Sequence, residues 1–287
     1  MEITINGKAA DIILESEKTA GEVIKGIHEW LANLDLFVSG LEIDGKTYGS
    51  LSMDKAFDLP LDNISSIEVK TSNWAELMLE ALTSLKQDLK LYKSQEKEEQ
   101  ENYLRQWKET APAHFLKDHG QDIYSIILST MGNGSFSEDL LGGLVSERIR
   151  EIEDPSLEMN KLKPTVEEIT GKLEELPLDM QTGKDQRASE TIVLFSSLVE
   201  KIFRLIFLFQ YFQTDINSIE TPIMNGSKKL TLKEYLDEFS TALKELISAY
   251  ENKDTVMVGD MAEYELAPRL RCLTSILCTI SPGEMPG

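Results

Sequence analysis

Residues 1–31 read MEITINGKAADIILESEKTAGEVIKGIHEWL, and this stretch decides the fold of the N-terminal part of the chain. Apolar and polar residues alternate over the first positions, and Asn6-Gly7 is a strong signal for a tight turn. Ile12 and Leu14 then lie in a second β-like run. The chain is therefore predicted to open with a β-hairpin.

A helix is predicted directly after the hairpin. Thr19 and Glu22 have the spacing of a capping box, in which the hydroxyl and the carboxylate each accept a backbone N–H of the first helical turn. The apolar residues that follow recur at helical spacing and predict one buried stripe, formed by Val23, Ile27, Trp30, Leu31 and Leu34.

Two further strands follow the predicted helix. The segment LEIDGKTYG reads as a strand that ends in an Asp44-Gly45 turn. The segment DNISSIEVKT reads as a last strand, with Ile67 and Val69 pointing to one face. The order is thus hairpin, helix, strand, short irregular stretch and strand.

That order, together with the stretch LPLDNISSIEVKT, resembles the ubiquitin-like β-grasp fold over residues 1–72. The resemblance is one of pattern and implies a fold more than an activity. Conjugating members of the family end in a mobile Gly-Gly tail, whereas this chain passes from Thr71 and Ser72 into helix-forming sequence. Conjugation to other proteins is therefore not expected.

The outward face of the predicted sheet is charged. Members of the family that dock partners through an apolar sheet face use outward positions of the third and last strands. Here the alternation places Glu42, Glu68 and Lys70 at those positions. Docking through an apolar patch on this face is therefore not expected.

The rest of the chain is predicted to be helical, which makes the expected fold class α+β. At Asn73 the apolar spacing changes from that of a strand to that of a helix, and Glu76 completes a cap for a long first helix. We expect a β-grasp domain at 1–72, an all-α helical bundle at 73–281 and a flexible tail at 282–287.

Prolines and one long apolar segment divide the predicted bundle. Asp154-Pro155 begins a short helix, and Pro177 is expected to end the helix that begins at Pro164. Residues 189–212, SETIVLFSSLVEKIFRLIFLFQYF, are apolar almost all round. This segment is expected to be a central helix surrounded by others.

The C-terminal part is predicted to be a helical hairpin. Thr231 and Glu234 cap its first helix, and the short connection Asn252-Lys253-Asp254 leads back into the last one. Through AYENKD and VGDMAEYELAP, about the last sixty residues resemble uncharacterised helical bacterial proteins. That resemblance implies no activity.

Asp260, Tyr264 and Glu265 form the candidate functional cluster of the chain. Asp260 and Tyr264 are four residues apart on one side of the last helix, and Glu265 is placed to pair with Arg269. The carboxylates suit an acid/base pair or a cation site. The other interpretation is surface charge with one buried tyrosine hydrogen bond. Pro268 is expected to bend the helix near Tyr264.

The sequence predicts neither a cofactor nor a metal. The stretch MGNGSFSEDLLGGL is rich in glycine but lacks the preceding strand and the Gly-Lys-Ser/Thr ending of a phosphate loop, so a turn is expected. His114 and His119 do not stack on one helical face, and Cys272 and Cys278 point to different faces of one helix.

The formal net charge of −21 at pH 7 opposes binding to nucleic acid or to an anionic membrane surface. It favours solubility and leaves open an acidic face for a basic partner. The chain has no basic start followed by an apolar stretch, and its most apolar segment carries Glu200, Lys201 and Arg204. A cytoplasmic protein without membrane insertion is therefore expected.

Three functions remain open at this stage, and the sequence favours the first. The first is a non-enzymatic interaction protein, an adaptor or scaffold that holds a protein partner of unknown identity. The second is a chaperone for a secreted subunit or one of a flagellar or export system. The third is an enzyme with an acidic pocket near Asp260, Tyr264 and Glu265.

Overall fold

The structure is a computed structural model that describes residues 1–14, 16–34, 36–48, 54–93, 97–132, 138–212, 215–225 and 228–280. It has a β-sheet at the N-terminus followed by a mainly helical region, which confirms the predicted α+β class. The predicted tail at 282–287 and most of the glycine-rich turn, at 133–137, lie outside the described residues.

Five strands form the N-terminal sheet: Glu2–Ile5 (β1), Lys8–Ala9 (β2), Leu36–Ile43 (β3), Lys46–Tyr48 (β4) and Ser66–Asn73 (β5). Their spatial order is β2-β1-β5-β3-β4. Strands β1 and β5 run parallel, and every other neighbouring pair runs antiparallel. A mixed sheet of this order is compatible with the β-grasp fold, which stays a prediction.

Both tight turns of the sheet lie where the sequence predicts them. Asn6 and Gly7 have φ angles of 48° and 72°, and Asp44 and Gly45 have φ angles of 48° and 79°. Consecutive left-handed residues match the right-handed twist of a two-residue hairpin, which explains the Asn-Gly and Asp-Gly sequences. The second turn joins β3 to β4, a short strand that the sequence interpretation did not separate.

Helix α1 (Ala20–Ala32) begins with the predicted capping box, because Thr19 accepts the N–H of Glu22 and Glu22 accepts the N–H of Thr19. Its buried face packs on the inner side of the sheet, where Ile67 and Val69 of β5 are fully buried. Together these residues form the core of the sheet region: Ile3, Ala20, Val23, Ile24, Ile27, Leu31, Leu41, Ile43, Tyr48, Ala56, Ile64, Ile67 and Val69.

Two sequence predictions for this region are wrong. Strand β2 has only two residues, so Ile12 and Leu14 lie beyond it and are exposed. Trp30 and Leu34, which were predicted to belong to the apolar stripe of α1, are both exposed. Ile24, which was not predicted to belong to it, is buried. Leu34 lies past the end of α1, and Trp30 lies beside the buried face that Ile24 shares.

Six helices follow in the first part of the chain: Asp54–Phe57 (α2), Trp74–Lys93 (α3), Lys97–Trp107 (α4), Ala111–His119 (α5), Gln121–Gly132 (α6) and Glu138–Glu153 (α7). The predicted cap of α3 is confirmed. The N–H of Glu76 donates to Asn73 Oδ1 and the N–H of Asn73 donates to Glu76 Oε2, both at 2.9 Å.

The chain divides into two compact units, Met1–Ile149 and Arg150–Gly287. The division falls within α7. The predicted boundary between residues 72 and 73 lies inside the first unit, where β5 leads directly into α3, and it stays a prediction.

The described residues of the second unit include these helices and strands: Pro155–Lys161 (α8), Lys163–Gln181 (α9), Asp185–Phe212 (α10), Glu220–Asn225 (β6), Lys228–Thr231 (β7), Leu232–Glu251 (α11), Thr255–Asp260 (α12) and Ala267–Leu277 (α13). None of the described helices combines the length and hydropathy that a bilayer-spanning segment needs.

The mainly helical region also contains a strand pair that the sequence did not predict, because β6 and β7 pair antiparallel. The buried Thr221 hydroxyl donates to the carbonyl oxygen of Leu230 across this hairpin at 2.9 Å. Strand β7 then leads into the predicted capping box of α11, formed by Thr231 and Glu234. Pro222 in β6 weakened the strand signal in the sequence, because proline cannot donate a ladder hydrogen bond.

Pro177 does not end its helix, contrary to the sequence prediction. Helix α9 continues to Gln181 with Pro177 inside it. Helix α12 packs against α9, and a Cβ added to Gly259 would lie 3.0 Å from Pro177 Cβ. The chain of α12 therefore approaches α9 closely at Pro177, where α9 continues despite the hydrogen bond that proline removes.

Helix α10 was predicted to be surrounded by other helices, and this is correct for only one of its faces. It packs against α8 and α9 and buries residues such as Phe195, Leu205 and Phe209. On its other side Val193 and Leu194 are exposed. Some apolar residues of this segment therefore lie outside the buried face of α10.

Two buried carboxylates anchor α10 to the preceding helices. Arg204 donates to both carboxylate oxygens of Glu151 at 3.1 and 3.2 Å. Lys201 lies 3.6 Å from a carboxylate oxygen of Glu158, and Lys161 lies 2.7 Å from the other. Burial raises the pKa of Glu158, but the hydrogen bond from Lys161 and the nearby cations outweigh it and lower this pKa.

The last helical segment deviates from α geometry where the sequence predicts a bend. Residues Met261–Leu266 form a π-helical stretch between α12 and α13, directly before Pro268. Proline cannot donate to the carbonyl of Tyr264 and clashes with it, and the wider π turn accommodates the ring.

Candidate functional site

The structure brings Asp260, Tyr264 and Glu265 together on one surface. They line a shallow concavity of about 500 Å³ in the second unit, together with Met257 and Met261. Tyr264 is 65% exposed, and Asp260 is exposed as well. The concavity is open to solvent, which differs from the buried tyrosine that the sequence favoured.

The charges of this cluster are largely engaged with one another. The hydrogen bond between the Tyr264 hydroxyl and Glu263 raises the pKa of Tyr264, as do the charges of Glu263 and Asp260. Glu265 forms the predicted ion pair with Arg269. The phenol is thus kept protonated beside carboxylates, and a catalytic or cation-binding role stays a prediction.

The histidines and cysteines do not gather into a cluster. His119 contacts the rings of Phe37 and Phe115, with centroids 5.0 and 4.7 Å away. Cys272 and Cys278 are free thiols. In the part of the chain that the structure describes, no three or more His, Cys, Asp or Glu residues are placed to hold a metal ion.

The first unit contains an aromatic cleft of about 660 Å³ beside α1, β3 and α5. Its rings contact one another, since the centroids of Phe37 and Phe115 are 5.7 Å apart. Phe57 packs on Gly21, where an added Cβ would come within 2.8 Å of Phe57 Cβ. Phe57 is 39% exposed, so the cleft also presents apolar surface to solvent.

A second depression of the first unit, here named the α1 groove, has about 490 Å³ of space. It lies between α1, from Glu22 to Trp30, and the segment at residues 10–14 with Glu17. Its floor is formed by Val23 and Ile27, which also belong to the core of the sheet region.

The rim of the α1 groove exposes large apolar side chains. Trp30 is 54% exposed, and no ring contact joins it to another described aromatic residue. Ile12 and Leu14 line the opposite side of the groove. Ile13, between them, is 82% exposed. Single exposed apolar residues are ordinary, whereas here several surround one depression.

Gly26 of α1 keeps the groove open. Its position lines the groove, and an added Cβ would meet no atom within 4 Å. A glycine in a helix interior costs roughly 0.5–1 kcal/mol relative to alanine. Packing within the described residues does not require the glycine, because an alanine side chain has space there.

The charged residues that line the α1 groove are all acidic. They are Asp11, Glu17 and Glu22. The carboxylate of Glu22 is fixed by accepting the backbone N–H groups of Lys18 and Thr19. The groove is therefore an apolar surface in a field of negative charge.

The outer face of the sheet carries the charges that the sequence predicts. Glu42 and Glu68 lie directly opposite each other on neighbouring strands, and Lys70 is exposed two residues further along β5. Their neighbours Ile43 and Ile67 are buried on the other face. This face offers no apolar patch comparable to the α1 groove.

The α1 groove was not predicted, because its apolar side chains were assigned to a strand and to the helical stripe. Ile12 and Leu14 were placed in a strand, and Trp30 in the buried stripe. One signal was present: Ile12, Ile13 and Leu14 are three consecutive apolar residues, and an alternating strand with one buried face cannot bury all three.

Known proteins match both parts of the chain without a described activity. Residues 1–73 match the family described as TP0873 N-terminal domain, and residues 158–275 match a domain of unknown function, DUF8042. An uncharacterized protein of Treponema pallidum (strain Nichols) is 24% identical over 283 residues, 99% of each chain. No solved structure matches the chain.

Proposed function

We propose that this chain is a non-enzymatic protein-interaction module of the adaptor or scaffold type, that it works in the cytoplasm, and that a partner docks in the α1 groove. The observation that carries the proposal is the exposed set of Trp30, Ile12 and Leu14 around a groove with open space at Gly26.

The composition of the groove supports protein recognition. Tryptophan is enriched among the residues that dominate protein interfaces, because a large ring buries much apolar area at a small cost in conformational entropy. A floor of Val23 and Ile27 offers side-chain pockets, and both residues are held rigidly by the sheet core. Rigid anchor positions lower the entropic cost of binding.

Filling the groove tests this function. We expect Gly26→Leu to block docking, because the new side chain would occupy the groove without meeting an atom of the described chain near its Cβ. Gly26→Ala should preserve docking, since a methyl group leaves most of the space. Gly171→Ala, at another open helical glycine in the second unit, controls for the gain in helix propensity.

The measurement is the quantitative recovery of interacting proteins from native lysate with tagged full-length chain. A protein recovered in stoichiometric amount by the wild type, Gly26→Ala and Gly171→Ala, and lost with Gly26→Leu, is the expected result. Equal recovery with Gly26→Leu would contradict docking in the groove. It would favour the chaperone alternative, which draws on exposed apolar residues of the second unit such as Val193, Ile247 and Val256.

A further inference from the structure

We propose that the occupant of the α1 groove is a non-helical segment of a partner protein, with large apolar side chains flanked by Lys or Arg. This inference rests on the proposed function and adds the chemistry of the partner. It follows from the charge of the groove, from a backbone N–H on one wall that donates no hydrogen bond within the described residues, and from the charge of the whole chain.

The negative charge of the groove favours a partner segment whose apolar residues are flanked by basic residues. Among the described residues, no Lys or Arg lines it, and the charged residues that do are Asp11, Glu17 and Glu22. Asp11 forms no hydrogen bond or ion pair with any residue that the structure describes. Its carboxylate is therefore available to a cation that approaches the apolar rim, and an acidic segment would be repelled.

The backbone N–H on one wall of the groove favours an occupant that is not helical. Leu14 lines the groove, and its N–H group donates no hydrogen bond within the described residues. A helical occupant has most of its carbonyl oxygens engaged in its own hydrogen bonds, whereas a non-helical segment presents carbonyl oxygens along its length. A non-helical occupant can therefore accept the N–H of Leu14 at any position along its length, whereas a helix can do so only near its C-terminus.

The charge of the chain argues against a second copy as the occupant. Two copies that each carry a formal charge of −21 repel each other. The groove itself has no basic residue that would attract the acidic surface of a second chain. A separate protein with a basic and apolar segment is complementary in both respects.

Labelled synthetic peptides test the inference on the full-length chain. The probes share the core Val-Ile-Leu-Val and differ in their flanks, which are Lys-Arg, Ser-Ser or Glu-Glu on each side. A further Lys-Arg peptide carries a proline within the core, which prevents helix formation but leaves every carbonyl oxygen. Binding is measured by fluorescence anisotropy.

We expect the Lys-Arg peptide to bind about tenfold more tightly than the Ser-Ser peptide and the Glu-Glu peptide not to bind, with the preference reduced by salt. The proline version should bind as well as its parent. Asp11→Asn should weaken the binding of the Lys-Arg peptide about threefold. Gly26→Leu should abolish its binding, whereas Gly26→Ala and Gly171→Ala should retain it.

Several results would overturn the inference. These are equal affinity for basic and acidic flanks, loss of binding in the proline version, and no binding of any peptide at millimolar concentration. Binding of the Lys-Arg peptide that survives Gly26→Leu would also overturn it, because it would reflect attraction to the acidic surface in general. If the native partner is still lost with Gly26→Leu in these cases, the proposed function stands and only the chemistry of the partner is wrong.

Discussion

Glu158 shows how a single buried carboxylate ties three helices of the second unit together. It lies on α8 and contacts Lys161 on the same helix, Arg150 on α7 and Lys201 on α10. These contacts lower the pKa of Glu158 below its usual value near 4.5, although burial opposes the shift. A carboxylate with a depressed pKa stabilises the fold only while it is ionised.

The variant Glu158→Gln is expected to lower the free energy of unfolding by about 3 kcal/mol at pH 7, because it leaves cations around a buried neutral amide. The stabilisation by Glu158 is fully present above pH 4.5 and is lost as the pH falls through the depressed pKa of the folded state. The difference from wild type should therefore be constant near neutrality and shrink below that pH.

Urea unfolding of the full chain at a series of pH values measures this difference. Glu168→Gln is the matched control, because Glu168 pairs with Lys172 on the surface of α9 and its loss should cost no more than about 0.5 kcal/mol. A difference between Glu158→Gln and wild type that does not depend on pH would contradict this role of the carboxylate.

Among the elements, the contact of α9 with α12 explains how a helix tolerates an internal proline. Pro177 removes one hydrogen bond from α9, and Gly259 of α12 lets the two backbones approach at that point. The ring of Pro177 fills the space that the side chain of a larger residue at position 259 would occupy. The two residues are expected to act as a pair.

Gly259→Ala is expected to destabilise the protein by about 1–3 kcal/mol, because its Cβ would lie 3.0 Å from Pro177 Cβ and 3.1 Å from Pro177 Cα. Gly171→Ala on α9 should instead stabilise it by roughly 0.5–1 kcal/mol, since its Cβ meets no atom within 4 Å. Scanning calorimetry compares the two variants. If both variants were more stable than the wild type, α9 and α12 would be able to move apart at no energetic cost, which would contradict the prediction.

The start signals of the elements could be predicted because they are local. The capping boxes at Thr19, Asn73 and Thr231 each need residues within one helical turn, so the sequence contains the whole interaction. The end of α9 could not be predicted, because Pro177 is tolerated through Gly259, which lies far along the chain. The β6–β7 hairpin was missed because its strands are short and one contains a proline.

At the scale of the whole molecule, the sequence predicted the succession of a sheet and helices but not which apolar residues stay exposed. Period and composition show that Trp30 and Ile12 are apolar, whereas the exposure of Ile12 depends on a β2 strand of only two residues, and that of Trp30 depends on which face of α1 packs on the sheet. The predicted cluster of Asp260, Tyr264 and Glu265 does assemble, because its members lie within two turns of one helical segment. The α1 groove joins separate elements, so no local pattern reveals it.

The most direct test of docking in the α1 groove is an NMR titration of the isotope-labelled full chain with the Lys-Arg peptide. We expect chemical shift changes to concentrate at the amides of Ile13, Leu14 and Gly26 and at the indole N–H of Trp30. Changes that concentrate around Asp260 and Tyr264 instead, or that spread over the acidic surface without a centre, would contradict docking in the groove.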